Sequence, residues 1–311
     1  MQYIPLSSVC SLGLLAALAA GNLAMAGPRL DGRAKPATSI RVNVNLALVP
    51  VTVMDAYGRS VLGLVRDNFR VLDGSQPSPI VSFHRQDAPV SVGLVFDCSR
   101  SMTEKFRVSR EAPAQLFSQL NPQDEAFLIT VADRADLRTG FTSHFEEIQN
   151  ALLFTHPDGS TSLVDGVYLG LQKLKQAHNP RRALIVVSDG GENNSRYTMH
   201  ELASLAVEAD TQIYTICVSF QPATEEELHG PDLLNKLSEV SGGVRFMTND
   251  INQIATSMAH IGITLHNQYV LGIVPPPNAP QGKYRHIKVQ VMLPEGSPRL
   301  MVFARNSYFV P

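Results

Sequence analysis

The chain has 311 residues, of which 44% are hydrophobic and 17% charged, a composition that is typical of a globular protein and excludes a mainly disordered one. Its 26 basic and 28 acidic residues give a formal net charge of −2, without a long run of either sign. Neither a nucleic-acid partner nor an anionic membrane surface is therefore expected, and the length favours two domains.

The first 26 residues carry no charge, and a short apolar stretch runs from Cys10 to Ala20. Small residues at 24 and 26 precede a cleavage point, so residues 1–26 are predicted to be a secretory signal peptide. Because this segment lacks the usual Lys or Arg, an N-terminal membrane anchor is the alternative, although the apolar run is short for a span of about 20 residues. We expect an exported protein, periplasmic or extracellular, with no membrane span after cleavage.

Residues 27–39 are rich in Pro, Gly and charge and are predicted to be a flexible leader. Strand signals follow directly. Residues 41–54 alternate and are rich in β-branched side chains, and further strands are predicted at 69–72 and 80–84. We assign residues 40–87 to the N-terminal part of a β domain.

From Val90 the pattern changes to apolar strands that alternate with helical segments. Strands are predicted at 90–96, 126–132, near 137, and at 183–188, 212–219 and 244–247. Helices are predicted at about 103–119, 145–152, 162–177, 198–209, 224–240 and 251–266. This alternation predicts an α/β fold at 88–267, a doubly wound, mainly parallel six-stranded sheet with helices on both faces.

After Gln268 the helices stop, and strands are predicted at 269–274, 284–293 and 300–304. We assign 268–311 to the C-terminal part of the β domain, because both end blocks together have the size of one small β-sandwich. The α/β domain would then be inserted into a discontinuous β domain.

Two cysteines, Cys98 and Cys217, remain after the signal peptide. The predicted sheet places them on strands that are separated by a third strand. Neighbouring strands are about 4.8 Å apart, so the pair lies beyond the roughly 7 Å separation of α-carbons that a disulfide allows. We expect two free, mostly buried thiols.

Three polar segments lie where such a sheet presents its loops. Asp97, Ser99 and Ser101 follow the first apolar strand, Thr161 lies in a turn that opens a helix, and Asp189 ends another apolar strand. Ligands bind beyond the carboxyl ends of parallel strands, where the strand order reverses. Carboxylates and hydroxyls are hard oxygen ligands, so this set points to Mg²⁺, Mn²⁺ or Ca²⁺. Thr161 or Ser162 is expected to lie near the N-cap of the helix that follows.

These residues resemble the von Willebrand factor type A domain and its metal-ion-dependent adhesion site. The family pattern is Asp-x-Ser-x-Ser, a Thr in a loop and an Asp at the end of the fourth strand, which here correspond to Asp97, Ser99, Ser101, Thr161 and Asp189. The flanking segments are similar to the exported acidobacterial branch of the family. The resemblance implies that the hydroxyls bind the cation directly and that the aspartates bind it directly or through water.

The resemblance also implies the function. A cation held by neutral hydroxyls stays electrophilic and takes a carboxylate of a protein or matrix partner as its last ligand, which is adhesion and not catalysis. Arg100 either contacts that carboxylate or remains a solvated loop cation. The rest of the expected rim consists of Ser160, Gly190, Glu192 and Asn193. For Glu192, Asn193 and Asn194, solvated loop residues are the default interpretation.

Two other classes of function stay open. The chain could be a structural scaffold of an envelope complex with an inert site, or a metal-assisted hydrolase. A hydrolase needs a general base, and no titratable group in the three loops is an obvious one. We therefore expect no enzymatic activity. The sequence leaves the partner, the choice of cation and the oligomeric state open.

Overall fold

The computed structural model describes residues 46–218, 225–248, 250 and 252–310. The chain divides into two compact units, residues 1–43 and 44–311, and all described residues belong to the second. The predicted signal peptide, the leader at 27–39 and the beginning of the first predicted strand at 41–45 lie outside the described residues.

Strands at both ends of this unit enclose a segment in which strands and helices alternate. The strands are β1 (Ala47–Met54), β2 (Phe69–Asp73), β3 (Gln76–Ser78), β4 (Ile80–Gln86), β5 (Val90–Asp97), β6 (Glu125–Val131), β7 (Ala135–Thr142), β8 (Arg181–Ser188), β9 (Gln212–Val218), β10 (Arg245–Thr248), β11 (Gln268–Ile273), β12 (Lys283–Val291), β13 (Met301–Ala304) and β14 (Ser307–Val310). The helices are α1 (Thr103–Ser109), α2 (Pro113–Phe117), α3 (Phe145–Leu153), α4 (Leu163–Leu174), α5 (Met199–Glu208), α6 (Glu225–Ser241) and α7 (Asn252–Leu265). None of the helices in this part of the chain has both the length and the apolar character needed to cross a membrane.

Six strands form the central sheet in the order β10-β9-β8-β5-β6-β7, parallel except for β7, which is antiparallel at one edge. All eight residues of β5 are buried, as expected for a strand that is covered on both faces. Gly93 lies in its middle, where a Cβ atom would come within 2.4 Å of the Phe127 ring and 2.5 Å of Leu184. The predicted doubly wound α/β fold is confirmed.

Helices cover both faces of this sheet and form two apolar layers. Side chains of α1, α2, α3 and α7 are buried with Leu94 on one face, and those of α4, α5 and α6 are buried with Val95 on the other. Because successive side chains of a strand point to opposite faces, the same apolar run supplies both layers.

The strands at the two chain ends form two antiparallel four-stranded sheets, β13-β1-β11-β4 and β14-β12-β2-β3. Each sheet combines strands from both ends: β1 pairs with β11 and β13, and β2 pairs with β12. The shared core includes Val51, Phe69, Tyr269 and Leu271. This β-sandwich-like part agrees with the predicted fold class. The boundaries at residues 87 and 267, as limits of independently folding domains, stay a prediction.

Two details differ from the predicted elements. The helix predicted at 103–119 is interrupted, because α1 ends at Ser109 and α2 begins at Pro113, which has no N–H to donate within a continuing helix and is favoured in a first turn. The strands β3 and β14 were not predicted. Both are short strands at opposite edges of one sheet, where the apolar alternation that identifies a strand is weak.

The two cysteines are free and buried, as predicted, and β8 lies between β5 and β9. Burial raises the pKa of the Cys217 thiol to about 11. Burial and, secondarily, the charge of Asp97 raise the pKa of the Cys98 thiol as well. Both thiols are therefore protonated at neutral pH and pack as small apolar side chains.

Candidate functional site

The predicted site lies at the carboxyl edge of the central sheet, between β5 and β8. The chain adds β6 and β7 on one side of β5 and then continues with β8 on the other, so the strand order reverses between β5 and β8. Asp97 is the last residue of β5, and Asp189 directly follows β8. The two aspartates thus leave adjacent strands at the place where open α/β sheets bind ligands.

Asp97 is fully buried, and both of its carboxylate oxygens accept hydrogen bonds. Oδ1 accepts from the Ser99 N–H at 2.9 Å, and Oδ2 accepts from the Ser188 hydroxyl. Burial and the neighbouring charge of Asp189 raise the pKa of Asp97, and these hydrogen bonds offset only part of the rise. The two carboxylates therefore share one poorly hydrated region, in which a cation would be stabilised.

The two predicted serine ligands lie on the turn that leaves β5. Ser99 precedes a 3-10 turn at Arg100–Met102, and its Oγ lies 3.1 Å from the Oγ of Ser101. Of the neighbouring residues, Cys98 and Met102 are buried in the apolar core, whereas Arg100 is exposed. The turn therefore places the oxygen-bearing side chains apart from those of Cys98 and Met102.

Thr161 lies in the loop before α4 and is almost completely buried. Its N–H donates to Oδ1 of Asn193 at 2.9 Å, and its carbonyl accepts from the N–H groups of Asn193 and Asn194 at 3.1 and 3.0 Å. The segment that follows Asp189 therefore fixes the Thr161 backbone. Asn193, predicted as a rim residue, is exposed and also makes this contact.

The N-terminus of α4 is capped in a way that the sequence did not indicate. Ser162 is the N-cap residue, in agreement with the prediction that Thr161 or Ser162 lies near the N-cap, but its hydroxyl donates to the Ala132 carbonyl and makes no capping hydrogen bond. Oε2 of Glu192 accepts from the Val164 N–H at 2.8 Å. Glu192 also accepts from the N–H and the hydroxyl of Ser195 at 2.9 and 2.7 Å. Glu192 is half-buried and links the loop after β8 to the N-terminus of α4.

Asp189 is 1% exposed, and its two oxygens have different partners. Oδ1 accepts from the Gly191 N–H at 3.1 Å, and Oδ2 accepts from the ammonium of Lys105 on α1 at 2.9 Å. Neither Lys105 nor Ser188 was identified from the sequence. A signal existed for both, since Lys105 follows the Asp-x-Ser-x-Ser motif within about one helical turn and Ser188 is the polar last residue of an apolar strand.

Two glycines shape the loop around Asp189. Gly190 has φ +83°, and a Cβ atom there would lie 2.3 Å from the Cα of Gly230 on α6, so no other residue fits. A Cβ atom built on Gly191 would lie 3.3 Å from Oδ1 of Asp189 and 3.6 Å from Oγ1 of Thr161. These two oxygens therefore face the same small gap.

The remaining rim residues, Arg100 and Ser160, are exposed. Nη2 of Arg100 lies 2.9 Å from Oδ1 of Asp158, and both side chains are more than three-quarters exposed. The hydrogen bond from Arg100 lowers the pKa of Asp158. The Ser160 N–H donates to Oδ1 of Asp133 at 2.7 Å. Because exposed ion pairs are weak, Arg100 is able to exchange Asp158 for another carboxylate.

The donor set of the site fits a hard divalent cation. Two buried carboxylates and three hydroxyls come from adjacent strand ends and one packed loop, and all of them are oxygen ligands of the kind that Mg²⁺, Mn²⁺ and Ca²⁺ prefer. Within the described residues, no group of three or more His, Cys, Asp and Glu side chains is arranged to hold a metal ion. Hydroxyls would therefore have to supply part of the ligand shell at this site.

Comparison with known proteins identifies the segment that carries these residues. Residues 92–192, which run from β5 to the loop after β8, match the family model of the von Willebrand factor type A domain. No curated protein matches the chain.

The solved structures that are similar to the chain at low identity include the following three. The conserved hypothetical protein BatB from Bacteroides thetaiotaomicron is 17% identical, with 56% of this chain and 98% of that chain covered and a TM-score of 0.46. A von Willebrand factor type A protein from Catenulispora acidiphila is 11% identical, with 86% and 74% covered and a TM-score of 0.48. The von Willebrand factor domain of the type V pili tip protein Mfa5 from Porphyromonas gingivalis is 10% identical, with 58% and 96% covered and a TM-score of 0.47.

Proposed function

Since this chain contains a von Willebrand factor type A domain, we propose that it binds a macromolecular partner through a divalent cation held by Asp97, Ser99, Ser101, Thr161 and Asp189. The observation that carries the proposal is the presence of two buried carboxylates at adjacent strand ends, with three hydroxyls on the loops beside them. A structural role alone does not require two carboxylates in a region where the charge of one raises the pKa of the other.

The chemistry of the site favours binding of an acidic group. Mg²⁺, Mn²⁺ or Ca²⁺ would supply the positive charge that attracts a carboxylate of the partner. The chain's own residues hold this arrangement in place: Ser188 orients Asp97, and Asn193 fixes the loop of Thr161. Arg100, exposed at the border, would add a second contact to the partner's carboxylate.

The partner class is a protein or matrix component that presents a carboxylate, and the compartment is the periplasm or the extracellular space. The apolar stretch from Cys10 to Ala20 and the small residues at 24 and 26 support export. We propose binding without turnover, because a general base must reach a substrate proton and Asp97 is buried with both oxygens hydrogen-bonded. A structural scaffold with an inert site is the competing function.

Calorimetric titration of Mg²⁺, Mn²⁺ and Ca²⁺ into the purified protein tests the proposal. We expect Ser99→Ala and Asp189→Asn to weaken binding by tenfold or more while circular dichroism shows an intact fold. Ser204→Ala is the matched control, because Ser204 is exposed on α5 and its hydroxyl bonds only within its own helix. Binding that is absent from the wild type, or unchanged in Ser99→Ala and Asp189→Asn, would favour the inert scaffold.

A further inference from the structure

A buried lysine lies at the candidate cation site in addition to the five predicted ligands. The Nζ of Lys105 is 2.9 Å from Oδ2 of Asp189, and the two side chains are 10% and 1% exposed. Lysine is rarely buried to this extent unless it is paired with an acidic group. The ion pair joins α1 to the end of β8, so it forms only when the sheet and the first helix are packed together.

The ammonium balances part of a negative charge that the fold would otherwise leave buried. Asp97 and Asp189 lie at adjacent strand ends, and neither has more than 1% of its surface exposed. Hydrogen bonds from Ser99 and Ser188 stabilise the first carboxylate, but they bring no positive charge. Lys105 brings one, so the three groups together retain a single negative charge when all are ionised.

We propose that Lys105 is a tethered counter-cation of this site, which stabilises Asp189 in the metal-free protein and lowers the affinity of the site for divalent cations. The inference rests on the proposed function, because it concerns how the same site takes up its cation. It assigns to α1 the role of setting the cation concentration at which the site is filled.

The physical reason is competition for one carboxylate. A cation that binds Asp189 lies close to an ammonium that contacts the same side chain, and like charges repel strongly where water is largely excluded. Removal of the ammonium should therefore improve cation binding by about tenfold or more. The same removal takes away the ammonium that contacts Asp189, so the metal-free protein should become less stable.

Titration of Mn²⁺ alone into wild type, Lys105→Met, Lys105→Gln and Lys175→Met tests the inference. Calorimetry gives the Kd, and the electron paramagnetic resonance signal of free Mn²⁺ gives an independent value. Lys105→Met keeps the length of the buried stem, and Lys105→Gln keeps a neutral donor for Asp189 in case the methionine variant does not fold. Lys175→Met removes the same charge from an ion pair with Glu208, at the far end of α4.

We expect Lys105→Met and Lys105→Gln to bind Mn²⁺ about tenfold more tightly than the wild type, and Lys175→Met to bind like the wild type. In the presence of a chelator, the Lys105→Met variant should melt at a lower temperature than the wild type. Added Mn²⁺ should remove this difference in melting temperature. Wild-type or weaker affinity in both Lys105 variants would overturn the inference and leave the proposed function standing. No binding to any of the four proteins would overturn the proposed function and the inference with it.

Discussion

The close approach of Gly190 to Gly230 makes Gly190→Ala a demanding test of the site geometry. The backbone at Gly190 has φ +83°, a conformation that costs a residue with a Cβ atom about 1–2 kcal/mol. The new Cβ would also lie 2.3 Å from the Cα of Gly230 and 2.5 Å from its carbonyl atoms. Backbone cannot rotate away as a side chain does, and such overpacking costs about 1–3 kcal/mol. We expect a total loss of about 2–5 kcal/mol.

Two other glycines separate these contributions. Gly58 has φ +74° with no atom within 4 Å of its Cβ position, so Gly58→Ala should show only the conformational cost of about 1–2 kcal/mol. Gly140 on β7 has neither a positive φ nor a neighbour within 4 Å. Gly140→Ala should change the free energy of unfolding by no more than about 0.5 kcal/mol.

Urea denaturation of the three variants measures these differences, and Mn²⁺ titration measures their effect on the site. Gly190→Ala should also weaken cation binding, because Asp189 leaves β8 immediately before the displaced residue. Gly58→Ala and Gly140→Ala should bind Mn²⁺ like the wild type. A Gly190→Ala variant that is no less stable than Gly58→Ala would refute the tight contact between the Asp189 loop and α6.

Two further predictions concern charged groups that hold the sheet and its loops. Burial alone would raise the pKa of Asp124, but hydrogen bonds, chiefly from His266, outweigh it and hold the pKa below the usual 3.8. The ionised carboxylate therefore stabilises the protein above pH 3.8, and this stabilisation is lost as the pH falls through the lower folded-state pKa. By urea denaturation, Asp124→Asn should cost about 1–3 kcal/mol at pH 7 and clearly less at pH 3. An equal loss at pH 7 and pH 3 would contradict this reasoning. Glu192→Ala should cost about 1–3 kcal/mol and weaken Mn²⁺ binding, because Glu192 caps α4 beside the Thr161 loop. Glu201→Ala, which removes the capping-box carboxylate of α5, should leave Mn²⁺ affinity unchanged, and equal affinities of the two variants would contradict the role of Glu192.

The sequence by itself determined the fold class and the position of most residues of the candidate site. Apolar runs such as β5 and β8 are local signals, and a strand that is buried on both faces places its polar residues at its end. Asp97 and Asp189 were therefore predictable as strand-end carboxylates, and the Asp-x-Ser-x-Ser spacing identified Ser99 and Ser101. The two short edge strands were missed, because an edge strand does not need the apolar pattern on which the prediction depends.

Only the tertiary structure decided which side chains orient and balance the site. Lys105 contacts Asp189, which lies 84 positions later in the chain. Glu192 caps α4, a helix that precedes it in the chain. Such interactions depend on which loops face each other after the sheet is assembled, and local periodicity carries no information about that. Charge compensation and hydrogen bonding in the interior are set by distances of a few ångströms between distant segments, which exist only in the packed protein.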